Sequence, residues 1–117
     1  MRREPLYLQD ILEACDMIQA LLDGMDASAF LASELHKAAT LQKLPVIGAA
    51  VARLSPTFRA AYSEVAWRDI LAFRHIAVHA YCAVQWDIVW ATATDDVPVL
   101  RRQVLEILQT ENLAHLE

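Results

Sequence analysis

Glycine and proline are scarce in this chain: two of the first and four of the second in 117 residues. Few turns can therefore use a left-handed backbone or a locked φ, which argues against a loop-rich or hairpin-rich fold. No stretch alternates apolar and polar residues with the period of two that marks a half-buried strand. No run reaches the length of about 18 apolar residues that a membrane helix needs, so no membrane association is expected. The opening Met1-Arg2-Arg3-Glu4-Pro5 is not followed by a continuous apolar segment. It does not read as a secretory signal, and a cytoplasmic location is expected. The two cysteines, Cys15 and Cys82, lie far apart and lack metal-ligand spacing, so reduced thiols are the expectation. A glycine-rich phosphate loop, a nucleophile elbow and a paired-cysteine metal motif are all missing.

Apolar residues, by contrast, make up 56% of the chain. A chain this short is expected to form one domain, spanning residues 1–117, and cannot bury every apolar side chain. Some apolar surface should therefore lie against a partner subunit. The formal charge of −5 argues against a general nucleic-acid binder. The distribution is uneven, however. From Arg53 to Tyr81 the acidic balance reverses: Arg53, Arg59, Arg68 and Arg74 face only Glu64 and Asp69. A local anion site in an acidic body is consistent with that pattern.

The chain reads as all helix. A first helix is expected from about Leu6 to Leu22, with Gly24 as its stop. Ser28 is a candidate cap for a second helix, which Pro45 should kink or divide before it ends at Ser55-Pro56. A short segment over 57–66 leads to a third long helix from Trp67 to Cys82. A short apolar helix should follow over 85–92. The last helix is expected after a cap at Asp95 or Asp96, with Pro98 in its first turn. Four main helices plus short helical segments imply an all-α antiparallel bundle.

The segment Arg74-His75-Ile76-Ala77-Val78-His79-Ala80-Tyr81 concentrates the chemistry. Trp67, Ile70, Leu71, Ala77, Val78 and Tyr81 recur at helical spacing, and Arg74 falls within their stripe. A guanidinium there needs an anion, a wet cleft or an interface, because its charge is costly to bury alone. His79 sits roughly 140° around a straight helix from Arg74 at about 100° per residue. Convergence therefore needs long side chains, an irregular helix end or a second copy across a dimer axis. A structural role remains open for each residue: Arg74 paired with Glu64 or with a carboxylate of another helix, Tyr81 at an interface or core edge, and the tryptophans Trp67, Trp86 and Trp90 in the core. His75 and His79, four apart, show no third metal ligand, so no metal site is expected.

The spacing Arg74, four residues, His79, one residue, Tyr81 resembles the Arg-x4-His-x-Tyr signature of the HEPN superfamily, in its HepT-like branch. His75 fits the polar position after the arginine. Trp67-Arg68-Asp69-Ile70, Val46-Ile47-Gly48-Ala49-Ala50 with Arg53-Leu54-Ser55, Trp90 and Pro98-Val99-Leu100 carry the similarity along nearly the whole chain. Ala49 departs from it, where the family often has glutamate, and so does Pro45. The resemblance implies a HEPN-like homodimer acting as a metal-independent ribonuclease toxin of a toxin–antitoxin pair, with no cofactor. It implies Arg74 and His79 as catalytic residues, His75 as a supporting residue, and RNA as substrate. It further implies a MntA-like nucleotidyltransferase antitoxin that adenylylates Tyr81. The alternative is a non-catalytic helical partner or substrate-binding subunit of a nucleotidyltransferase.

Overall fold

The computed structural model describes residues 3–76 and 84–116, with side chains through 112. Three long helices carry the core: α1 (Glu4–Leu22), α3 (Glu34–Arg53) and, at the C-terminal end, α7 (Val97–Leu116). Shorter helices lie between them: α2 (Ala27–Ala32), α4 (Pro56–Ala61), α5 (Trp67–Leu71) and α6 (Trp86–Ala91). No strand occurs among the described residues, and the expected all-α architecture is what the chain adopts.

Helix α1 buries Leu8, Ile11, Cys15, Ile18 and Leu22, an alternation of three and four that keeps them on one stripe. It packs against both α3 and α7. Helix α3 answers with Leu44, Ile47 and Val51, and α7 with Val97, Leu100, Val104 and Ile107. Each such side chain stabilises the fold by about 1.5–3 kcal/mol relative to exposure. An Asp16–Arg101 ion pair ties α1 to α7 at the surface. The Cys15 thiol is free and buried. Burial first, and then the neighbouring Asp16 charge, push its pKa up to about 12, against a smaller opposing pull from Arg101. It is a packing group rather than a nucleophile. Cys82 lies outside the described residues.

Several boundaries differ from the sequence expectation. Gly24 does end the first helix region, at φ 75°. The next helix is capped by Asp26, whose carboxylate accepts from the Ala29 amide at 2.8 Å, and not by Ser28. The helical run divides at Ser33, not at Pro45. The Ser33 hydroxyl accepts from the His36 amide at 3.2 Å and so starts α3 afresh. Pro45 sits inside an unbroken α3. Its cost of about 3 kcal/mol to a helix is outweighed by the buried Leu44, Ile47 and Val51 around it. Neither Asp95 nor Asp96 accepts a backbone amide with its side chain among the described residues. Instead, a π-helical turn over Thr92–Asp96 joins α6 to α7, so the chain winds on from Trp86 without a break.

Candidate functional site

The candidate site is built from the segment after α4. Ser55 caps α4 by accepting from the Phe58 amide at 3.0 Å. Trp67 then opens α5, and its indole N–H is shared between the carbonyls of Arg59 at 3.0 Å and Tyr62 at 2.9 Å. This pins the start of α5 to the end of α4. The Tyr62 hydroxyl donates to Glu111 of α7 at 2.6 Å, extending the anchorage across the molecule. Helix α5 lasts only five residues before the backbone tightens into a 3-10 turn over Ala72–His75.

That tightening changes which residue faces inward. Trp67, Ile70 and Phe73 are the buried residues of this segment, spaced by three, the period of a 3-10 helix. The apolar count over a straight helix put Arg74 on the stripe. In the structure Phe73 takes the core position and Arg74 is exposed. Its charge is therefore not buried. Among the described residues the Arg74 side chain has no ion-pair or hydrogen-bond partner, so neither structural alternative, a pairing with Glu64 or with a carboxylate of another helix, is realised there. His75, beside it, is exposed as well. His79 and Tyr81 lie outside the described residues.

One contact was not visible in the sequence. Gly48, buried in α3, faces the Arg74 turn so closely that a Cβ there would lie 2.6 Å from the Arg74 amide nitrogen. The same atom would lie 2.8 Å from Arg74 Cγ and 3.2 Å from the Ile70 carbonyl oxygen. Glycine inside a helix costs about 1 kcal/mol relative to alanine. Here φ is not positive, so close approach is the reason for its presence. Ala49, the next residue, lies on a different side of α3. It lines a groove of about 310 Å³ between α1 and α3, with Asp10, Glu13, Met17, Lys43 and Arg53. The Ala49 departure therefore leaves the seat of Arg74 untouched.

Two other arginines of the basic stretch have surroundings of their own. Arg53 lies 5.9 Å from the Tyr7 ring, on the α1–α3 side. Arg59 is half-buried, and its Nε has no partner among the described residues. A second cleft, of about 160 Å³, opens between α5 and α7 and is lined by Asp69, Asp96, Val99 and Gln103. Asp96 there is pushed above the usual carboxylate range, by burial first and then by the charges of Asp95 and Asp69. Two carboxylates facing one cleft disfavour a phosphate there. Among the described residues no three histidine, cysteine, aspartate or glutamate side chains form a metal-holding group. No helix there is long and apolar enough to cross a membrane.

The described residues form an all-helical chain in which Arg74 is exposed and, among those residues, its side chain is unpaired; comparison with known proteins gives the class. Residues 11–107 match the family described as "Ribonuclease HepT-like", and the chain belongs to that family. A protein of Caldanaerobacter subterraneus subsp. tengcongensis bearing the name "Putative RNase" is 34% identical over 105 residues, covering 90% of this chain and 94% of its own. A "Probable ribonuclease HepT" of Thermococcus cleftensis is 30% identical over 95 residues, covering 81% and 86%. A "Putative RNase" of Methanocaldococcus jannaschii is 26% identical over 98 residues, covering 84% and 90%. No solved structure matches the chain.

Proposed function

We propose that this protein is a metal-independent ribonuclease acting as the toxin of a toxin–antitoxin pair. The observation that carries the reading is Arg74: exposed, unpaired among the described residues, and seated on a turn fixed against α3, in a chain of the HepT-like family. The relatives named as ribonucleases support the same chemistry. In this reading Arg74 holds the scissile phosphate and stabilises the charge that builds on it. His79 takes the proton from the ribose 2′-hydroxyl or delivers one to the departing 5′-oxygen. The 2′-oxygen forms a bond to phosphorus as the bond from phosphorus to the 5′-oxygen breaks, so no metal is required. His75 supports the anion site. Two copies of the motif share one cleft in a homodimer.

Control belongs to a MntA-like nucleotidyltransferase antitoxin. It transfers AMP from ATP to the Tyr81 hydroxyl and releases pyrophosphate. The added diester charge competes with RNA for the Arg74 side chain.

Purified, unmodified protein should cleave RNA in EDTA. His79→Ala and Arg74→Ala should each lower the rate by about 100-fold or more with the helical content intact. His75→Ala should cost less. His79→Ala cleaving at the wild-type rate would refute the mechanism. Incubated with the antitoxin and ATP, wild type should gain one AMP mass per chain. Tyr81→Phe should gain none and should resist neutralisation.

A further inference from the structure

We infer that Gly48 is a positioning residue for Arg74: the missing side chain in α3 sets where the arginine leaves its turn. The inference rests on the ribonuclease reading above, which assigns Arg74 to the phosphate but says nothing of α3. A Cβ at position 48 would meet two backbone atoms, the Arg74 nitrogen of the turn at 2.6 Å and the Ile70 oxygen of α5 at 3.2 Å. Neither can rotate away. It would also meet Arg74 Cγ at 2.8 Å, at the root of the side chain and not at its tip. Relief of that clash therefore moves the turn as a body or forces Arg74 onto another rotamer.

The turn has few ways to yield. Trp67 fixes the entry to α5 through its two carbonyl bonds to Arg59 and Tyr62. Phe73, adjacent to Arg74, is buried in the core. With the N-terminal side of the turn held at Trp67 and Phe73, displacement falls on Arg74. A guanidinium lies several bonds beyond Cγ, so a small change at the root becomes a larger one at the charged end. Misplacement by about 1 Å is enough to cost on the order of 100-fold in rate.

The test compares Gly48→Ala with wild type on one labelled RNA in EDTA, below the melting transition of every protein used. Val104→Ala serves as a control for lost stability, since Val104 is buried in α7 and does not line the cleft that α7 shares with α5. Gly48→Ala should cleave about 100-fold more slowly, whereas Val104→Ala should keep the wild-type rate. Binding is followed in parallel with a 2′-O-methyl oligonucleotide, which cannot be cleaved. Gly48→Ala should weaken that binding in the wild-type background and add less than twofold in the Arg74→Ala background. A simple packing role would weaken both backgrounds alike.

Should Gly48→Ala fail to fold, the double variant Gly48→Ala/Phe73→Leu gives the turn room to reseat. It should fold and still cleave slowly. Gly48→Ala cleaving at the wild-type rate, or an equal loss of binding with and without Arg74, overturns the inference. Wild type that neither cleaves nor binds RNA overturns the ribonuclease reading instead.

Discussion

Asp96 shows how a single side chain on this protein reads out its surroundings. Its carboxyl titrates above the usual range because burial, Asp95 and Asp69 all disfavour the charged form. A folded-state pKa raised above the unfolded value means stability present at low pH and lost as pH rises through the folded pKa. Asp96→Asn removes that penalty. The variant should therefore unfold at a higher temperature than wild type at neutral pH. The gap should close below the ordinary carboxylate range, about pH 3. Thermal melts at several pH values check this, and a gap that widens on acidification would contradict it. The sequence could not have announced this cleft, because Asp69 and Asp96 meet only through the packing of α5 against α7. Gly48 was illegible for the same reason. A mid-helix glycine names no partner, and the turn it admits lies more than twenty positions along the chain. Arg74, by contrast, stood out by its chemistry among apolar neighbours, although its facing was misread.

At the scale of elements, α2 depends on one anchor. Phe30 is its only buried residue, with its ring 5.1 Å from Trp90 and 6.3 Å from Trp86 of α6. Phe30→Ala should cost about 3–5 kcal/mol, read as a shift in the urea midpoint, with the loss shared by α6. A change under about 1 kcal/mol would mean that α2 is held elsewhere. Helices α1, α3 and α7 were legible because their apolar stripes run through many turns. Their edges were not. Asp26, Ser28 and Ser33 are all good caps by type, and the choice falls to whichever side chain reaches a free amide in the folded chain. The 3-10 tightening at Ala72 was equally hidden. Spacings of three and of four both satisfy a short count, and only Phe73 docking in the core distinguishes them.

At the scale of the whole molecule, apolar surface remains in the open. Leu35 is 75% exposed, Leu6 59%, Met17 52% and Ile88 52%. That supports the expectation of a homodimer, in which two copies complete one cleft. Light scattering at micromolar concentration should give twice the chain mass, and a monomer would remove the shared-cleft part of the proposed mechanism. The longest helical run among the described residues goes from Trp86 to Leu116, carried through the π turn at Thr92–Asp96. A π turn holds one residue more than the α ladder would. Losing any one residue there would let the ladder close, but would swing Trp86 and Trp90 about 100° around the axis relative to Val97 and Leu100. The two rings would then turn away from Phe30. In heritable terms, the number of codons between Trp90 and Val97 is constrained more tightly than the identity of the exposed residue Asp95 they encode.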